Sequence, residues 1–125
     1  MKFARYSFLF AGIAGLLILL PQFFLEAKVG LDTPPAITHP EFYYGFLGLA
    51  TVFQFIFLVI AFDPSSFRLL MPIAIFEKLS FAIPCLILYW TGRMAFGGFF
   101  IGGMLDLIFA VIFIIALTKI IQGKP

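Results

Sequence analysis

The chain has 125 residues, of which 63% are hydrophobic, 19% aromatic and only 11% charged. So few polar residues cannot cover the surface of a water-soluble domain of this size. A net charge of +2 with no Lys/Arg block excludes a nucleic-acid partner.

The length allows one domain, residues 1–125. Four apolar stretches of membrane-spanning length predict an all-α polytopic membrane protein, a four-transmembrane-helix bundle in a lipid bilayer. The first span, residues 7–25, follows Lys2 and Arg5 and so mimics a signal peptide. Leu25-Glu26-Ala27 is a poor cleavage site, which predicts a retained helix, bent or ended by Pro21. Residues 26–41 are the longest connection, and Gly30, Asp32, Pro34, Pro35 and Pro40 predict a turn-rich outer loop.

The second span, residues 42–62, has Pro40 at its first turn, and Thr38 and Glu41 are spaced as a capping box. Asp63 reads as an N-cap followed by Pro64, opening a short interfacial helix through Arg68. Pro72 either kinks that helix or opens the third span, residues 72–90, in which Pro84 predicts a kink. Gly92 and Arg93 make the turn into the fourth span, residues 96–121.

Lys2, Arg5, Arg68, Lys119 and Lys124 fall on one side of these spans, and Lys28 and Arg93 on the other. The positive-inside rule then predicts both termini in the cytoplasm, N-in and C-in. Tyr43, Tyr44, Tyr89 and Trp90 fall at the outer interface, as an aromatic belt does.

Small residues predict where helices approach. Ala11 and Gly15 are spaced as small-xxx-small in the first span. Gly98, Gly102, Asp106 and Ala110 continue one face of the fourth span, which puts Asp106 on the packing side. That stripe is read as helix contact, or alternatively as the wall of a ligand cavity beside Asp106.

The charges within the spans are the only place where chemistry or tight recognition could be built. Glu77 lies roughly 8 Å in from Pro72 and Gln54 roughly 12 Å in from Phe62, at about 1.5 Å of rise per residue. Asp106 is deeper, and the long Lys78 stem reaches along the bundle. Gln54, Glu77, Lys78, Ser80 and Asp106 therefore form a candidate buried polar cluster, with Glu77 and Asp106 as candidate acid and base. An ionised group at the bilayer centre costs about 2.5–3.5 kcal/mol, so it persists when paired or when function needs it. Lys78 is expected to pair with Asp106, because Glu77 points about 100° away on the same helix. Glu77 is left to Gln54 or Arg68. The cluster serves as a register-fixing ion pair, a binding or catalytic site, or a proton or ion pathway.

The one cysteine, Cys85, reads as packing and cannot form an intrachain disulfide. His39, Glu41 and Tyr43 mark the outer mouth. His39 is the only histidine and cannot supply a structural metal site alone, so no metal is expected. No cofactor motif is present, although the apolar, Phe-rich spans would accommodate a bound lipid, quinone or pigment.

The segment His39-Pro40-Glu41-Phe42-Tyr43-Tyr44-Gly45, the Glu77-Lys78-Leu79-Ser80 run and Asp106 in the last span resemble small four-helix bacterial membrane proteins of the DoxX-like kind. The resemblance covers most of the chain as a hydropathy layout. It implies a four-helix bundle in the bacterial cytoplasmic membrane and an accessory role in a membrane complex, in some relatives linked to quinone redox chemistry. It transfers no catalytic residue. A small multidrug transporter of similar length would carry an acidic residue in its first span, and this chain has none.

Three functions follow as expectations. The first is a non-enzymatic accessory or structural subunit of a larger, redox-linked membrane complex, with other membrane subunits or a homo-oligomer as partners. The second is an intramembrane enzyme or carrier for an isoprenoid- or quinone-like substrate, using the buried carboxylates. The third is a small proton-coupled transporter.

Overall fold

The computed structural model describes residues 1–125 and is all-helical. Helix α1 spans Lys2–Gln22, α2 Glu26–Asp32, α3 Pro40–Phe62, α4 Met71–Trp90 and α5 Gly98–Ile121. A single 3₁₀ turn, Arg68–Leu70, leads into α4. α1, α3, α5 and α4 with its leading turn are long and apolar enough to cross a membrane. With 20 or more residues each, they extend about 30 Å or more, the thickness of a hydrocarbon core.

Local chemistry explains most boundaries. Pro21 lies in the last turn of α1, and two tight bonds, Phe23 N–H to Leu20 and Phe24 N–H to Pro21, close that end. Pro40 opens α3 and Pro72 lies in the first turn of α4, where a missing N–H costs nothing. Pro72 thus opens the third span and does not interrupt an earlier helix. α4 runs on through Pro84. At its end Gly92 takes φ +74°, and Arg93 N–H reaches the Leu88 carbonyl at 2.8 Å while Gly92 N–H reaches Tyr89 at 3.1 Å. This is a Schellman stop, which a left-handed glycine makes possible.

Three local expectations need correction. Residues 26–41 are not turns throughout, because Glu26–Asp32 form α2, a short helix carrying an exposed Lys28–Asp32 ion pair. The Thr38–Glu41 capping box does not form. His39 is the N-cap, without a side-chain cap, and Glu41 turns to the His39 ring instead. Asp63 does cap a turn, accepting from Ser66 N–H at 3.2 Å and Ser66 Oγ–H at 2.7 Å, but the chain continues into the 3₁₀ turn and not into a regular interfacial helix.

The four long helices pack as two antiparallel pairs, α1 with α3 and α4 with α5. Contact between the pairs is thinner, made by α1 with α5 and by α3 with α4. The half of the bundle nearest the chain ends is solid. Phe8, Phe57 and Phe113 pack together at its centre, Phe8 and Phe113 stacked with ring centroids 4.0 Å apart and Phe57 edge-on to Phe113. Ala4, Ile60, Met71, Ala74 and Ala116 fill the space around them. The outward faces remain apolar: Leu17, Leu49, Phe76 and Ile108 are exposed, the pattern that lipid-facing helices require. Both chain ends lie at this solid end, where Phe3 N–H donates to the Pro125 carbonyl.

Candidate functional site

Between the two helix pairs, in the half away from the chain ends, is a cavity of about 430 Å³. Phe109, which packs against Phe113 of the aromatic cluster, is among its lining residues. Its walls come from all four long helices, including Ala11, Ala14 and Gly15 of α1, Ala50 and Phe53 of α3, Phe81 of α4, and Gly102 and Leu105 of α5. Ile18, Leu49, Ile101 and Leu105 belong to this lining and are also exposed on the outer surface. The cavity therefore opens sideways, where the thin contact between the pairs leaves a gap, toward the space that lipid would occupy.

Gln54, Glu77, Lys78, Ser80 and Asp106 all line this one cavity. Lys78 is the centre. Its side chain is only 6% exposed, and Nζ lies 3.2 Å from Asp106 Oδ1. Nζ also lies 3.7 Å from Glu77 Oε2, so the expectation that neighbouring Glu77 and Lys78 do not meet is corrected. The four-carbon stem bends back across the 100° between them. Two rings complete the surroundings of the ammonium, Phe57 at 5.0 Å and Phe109 at 5.6 Å, so cation–π attraction joins the ion pairs. Glu77 thus finds Lys78 and not Arg68, which lies in the 3₁₀ turn before α4.

The remaining hydrogen bonds turn inward on the helices. Ser80 Oγ–H donates to the Glu77 carbonyl at 2.6 Å, and Gln54 Nε2–H to the Ala50 carbonyl at 2.8 Å. Two buried oxygens accept no hydrogen bond: Gln54 Oε1, and Glu77 Oε2, whose neighbour is the Lys78 ammonium at 3.7 Å. Gln54 is 1% exposed, so its orphan oxygen carries a desolvation cost.

The small residues divide into two roles. Gln54 sits against α1 because Gly15 has no side chain; a Cβ there would run into Gln54 Oε1. Gly12 is close to Leu58, whose Cδ2 a Cβ there would meet at 2.8 Å. Ala11 is buried in the core, and Ala110 is buried on α5. Gly98 and Gly102 make no close helix contact: nothing lies within 4 Å of a Cβ at Gly98, and only Phe81 at 3.8 Å approaches one at Gly102. They line the cavity beside Asp106. The close α4–α5 contact belongs to Gly103, where a Cβ would meet Cys85 Cβ and Sγ at 2.7 Å.

The outer-mouth residues separate as well. His39 and Glu41 pair with one another at 3.3 Å and are well exposed, outside the cavity lining. Tyr43 O–H donates to the Gln22 carbonyl at 2.6 Å, and Gln22 does line the cavity. Tyr44 O–H donates to Glu26 Oε2 at 2.9 Å, tying α2 to the start of α3. Gln22 and Glu26 are the mouth residues that sequence reasoning missed. No group of three or more His, Cys, Asp or Glu side chains is arranged to hold a metal.

The architecture is that of a small all-α integral membrane protein with an intramembrane cavity. No family model, curated protein or solved structure matches the chain significantly.

Proposed function

We propose that the protein holds one lipophilic molecule with a polar head in this cavity, as an intramembrane carrier or ligand-bearing component. The observation that carries the reading is the lateral gap between the helix pairs leading to a polar cluster. The volume is within the range of about 300–1,000 Å³ typical of small-molecule sites, and so is the mix of apolar walls with a few convergent polar groups. A lipid-soluble molecule would enter from the bilayer, lay its apolar body along Phe53, Phe81 and Leu105, and place its head near Lys78.

The proton-path reading is the weaker one, because the Lys78 ammonium lies against the Phe57 ring, which packs with Phe8 and Phe113 in the filled half of the bundle. An accessory role beside other membrane subunits, in keeping with the DoxX-like layout, is compatible with holding a ligand. It is favoured by the scant mass outside the spans, where α2 has only seven residues. The basic side, with Lys2, Arg5, Arg68, Lys119 and Lys124, is assigned to the cytoplasm of a bacterial membrane.

Photolabelling tests the cavity. A fatty-acyl diazirine incorporated into nanodiscs holding the protein is expected to mark Phe53, Phe81 and Phe109 as well as the lipid-facing residues. Adducts confined to lipid-facing positions such as Leu17, Phe76 and Ile108 would overturn the reading.

A further inference from the structure

We propose that a second lipid site, separate from the cavity, lies between α1 and α5 near the chain ends, and that it holds one anionic phospholipid by an acyl chain and the phosphate. A groove of about 400 Å³ runs there on the exposed surface, lined by Phe3, Tyr6, Ser7, Phe10, Phe109 and Ile112. From Phe3 to Phe10 it extends roughly 10 Å into the membrane, at about 1.5 Å of rise per residue. Phe10 and Phe109, with ring centroids 6.1 Å apart, form its inner end. Only Phe109 also lines the cavity, so the two sites are distinct.

Three lysines meet at the other end of the groove. Lys119 Nζ lies 5.4 Å from the centre of the Phe3 ring. Lys124 N–H donates to the Lys119 carbonyl at 2.8 Å and Phe3 N–H to the Pro125 carbonyl at 3.0 Å, which brings Lys124 and Lys2 to the same corner. None of the three pairs with a carboxylate, since the ion pairs of the protein involve Lys28, His39 and Lys78. Asp63, the acidic side chain at this end, is bonded to Ser66 beyond α3, and the terminal amine faces the terminal carboxyl group at 3.3 Å. Uncompensated cations above an apolar groove match a lipid with a negative head. Its chain lies along Ile112, Phe10 and Phe109. Its ester region falls at Tyr6 and Ser7, which carry the hydroxyls of the lining, and its phosphate meets the lysines. Each basic side chain near the surface adds attraction for an anionic lipid, whereas a zwitterionic lipid brings a cation of its own to the lysines.

The test is native mass spectrometry of the full chain released from nanodiscs of dioleoylphosphatidylglycerol and dioleoylphosphatidylcholine in equal amounts. Identical tails leave the head group as the variable. The phosphatidylglycerol adduct is expected to exceed the phosphatidylcholine adduct by about tenfold. Lys119→Gln is expected to lower that ratio by about fivefold, the share of one lysine. Ser7→Phe, which fills the groove, is expected to reduce both adducts. Arg68→Gln removes a positive charge from the same side of the protein, but from the turn before α4, and is expected to leave the ratio unchanged. Equal adducts of the two lipids on the wild type, or adducts unaffected by Ser7→Phe, would overturn the proposal. So would an equal fall of the ratio in Lys119→Gln and Arg68→Gln, which would show diffuse attraction to the basic side in place of a site.

Discussion

Lys78 is the residue on which the polar cluster turns. It satisfies Asp106 at 3.2 Å and faces Glu77 at 3.7 Å, so its removal leaves two buried carboxyl groups without a cation. Lys78→Met is expected to destabilise the bundle by about 3–5 kcal/mol, the cost of breaking one side of a buried pair. Adding Asp106→Leu should recover part of that loss, measured by denaturation in mixed micelles; full additivity of the two substitutions would show that they do not interact. The Lys78–Asp106 pairing is legible in the sequence, because both residues lie deep in apolar runs and each needs a partner. The Glu77–Lys78 contact is not, because helical spacing fixes the directions of Cβ atoms but not the end of a four-carbon stem. Outside the spans, Asp63 makes a separate prediction. The side-chain and main-chain hydrogen bonds from Ser66 hold its carboxyl below the ordinary value of 3.8. A lowered folded pKa stabilises the turn above the unfolded pKa, and that stabilisation is lost as pH falls through the folded value. NMR titration should therefore place Asp63 below 3.8, and Ser66→Ala should move it upward.

At the scale of elements, the two tight helix pairs rest on glycines, Gly12 and Gly15 between α1 and α3 and Gly103 between α4 and α5. Gly15→Ala would drive a methyl into the Gln54 amide, and Gly103→Ala would drive one into Cys85. Each is expected to cost about 1–3 kcal/mol by overpacking, whereas Gly98→Ala, with open space around it, should be nearly neutral in thermal unfolding. Comparable losses at Gly98 and Gly103 would contradict this division. The four long helices were readable from hydropathy alone, and so were the proline-marked starts of α3 and α4. The glycine stripe of α5 was legible as one face, but not which of its two readings, helix contact or cavity wall, applied to Gly98 and Gly102. Gly98 and Gly102 widen the cavity, while Gly103 beside them makes the contact, since spacing cannot tell a packed small residue from one that borders empty space. α2 escaped notice because seven residues containing Gly30 and followed by two prolines look like turns. Its end is defined by tertiary contact, with Ala36 folding back to within 3.2 Å of a Cβ at Gly30.

For the whole molecule, what matters is the difference between its two halves. The half near the chain ends is filled by aromatic and small residues, and the other half is split between the helix pairs. Nothing in the sequence reveals that split, because each helix is apolar all round and its pattern cannot distinguish a neighbour from lipid. Only the polar cluster hinted at it. The most direct measurement is native mass spectrometry of the protein released from nanodiscs made of its own membranes, wild type beside Gly102→Leu. A Cβ at Gly102 meets only Phe81, at 3.8 Å, so a leucine should intrude into the cavity beside Asp106 without disturbing the helix pairs. The wild type is expected to carry one lipophile per chain, and Gly102→Leu to carry markedly less. A wild type released without a lipophile, or an adduct that persists unchanged in Gly102→Leu, would contradict the account.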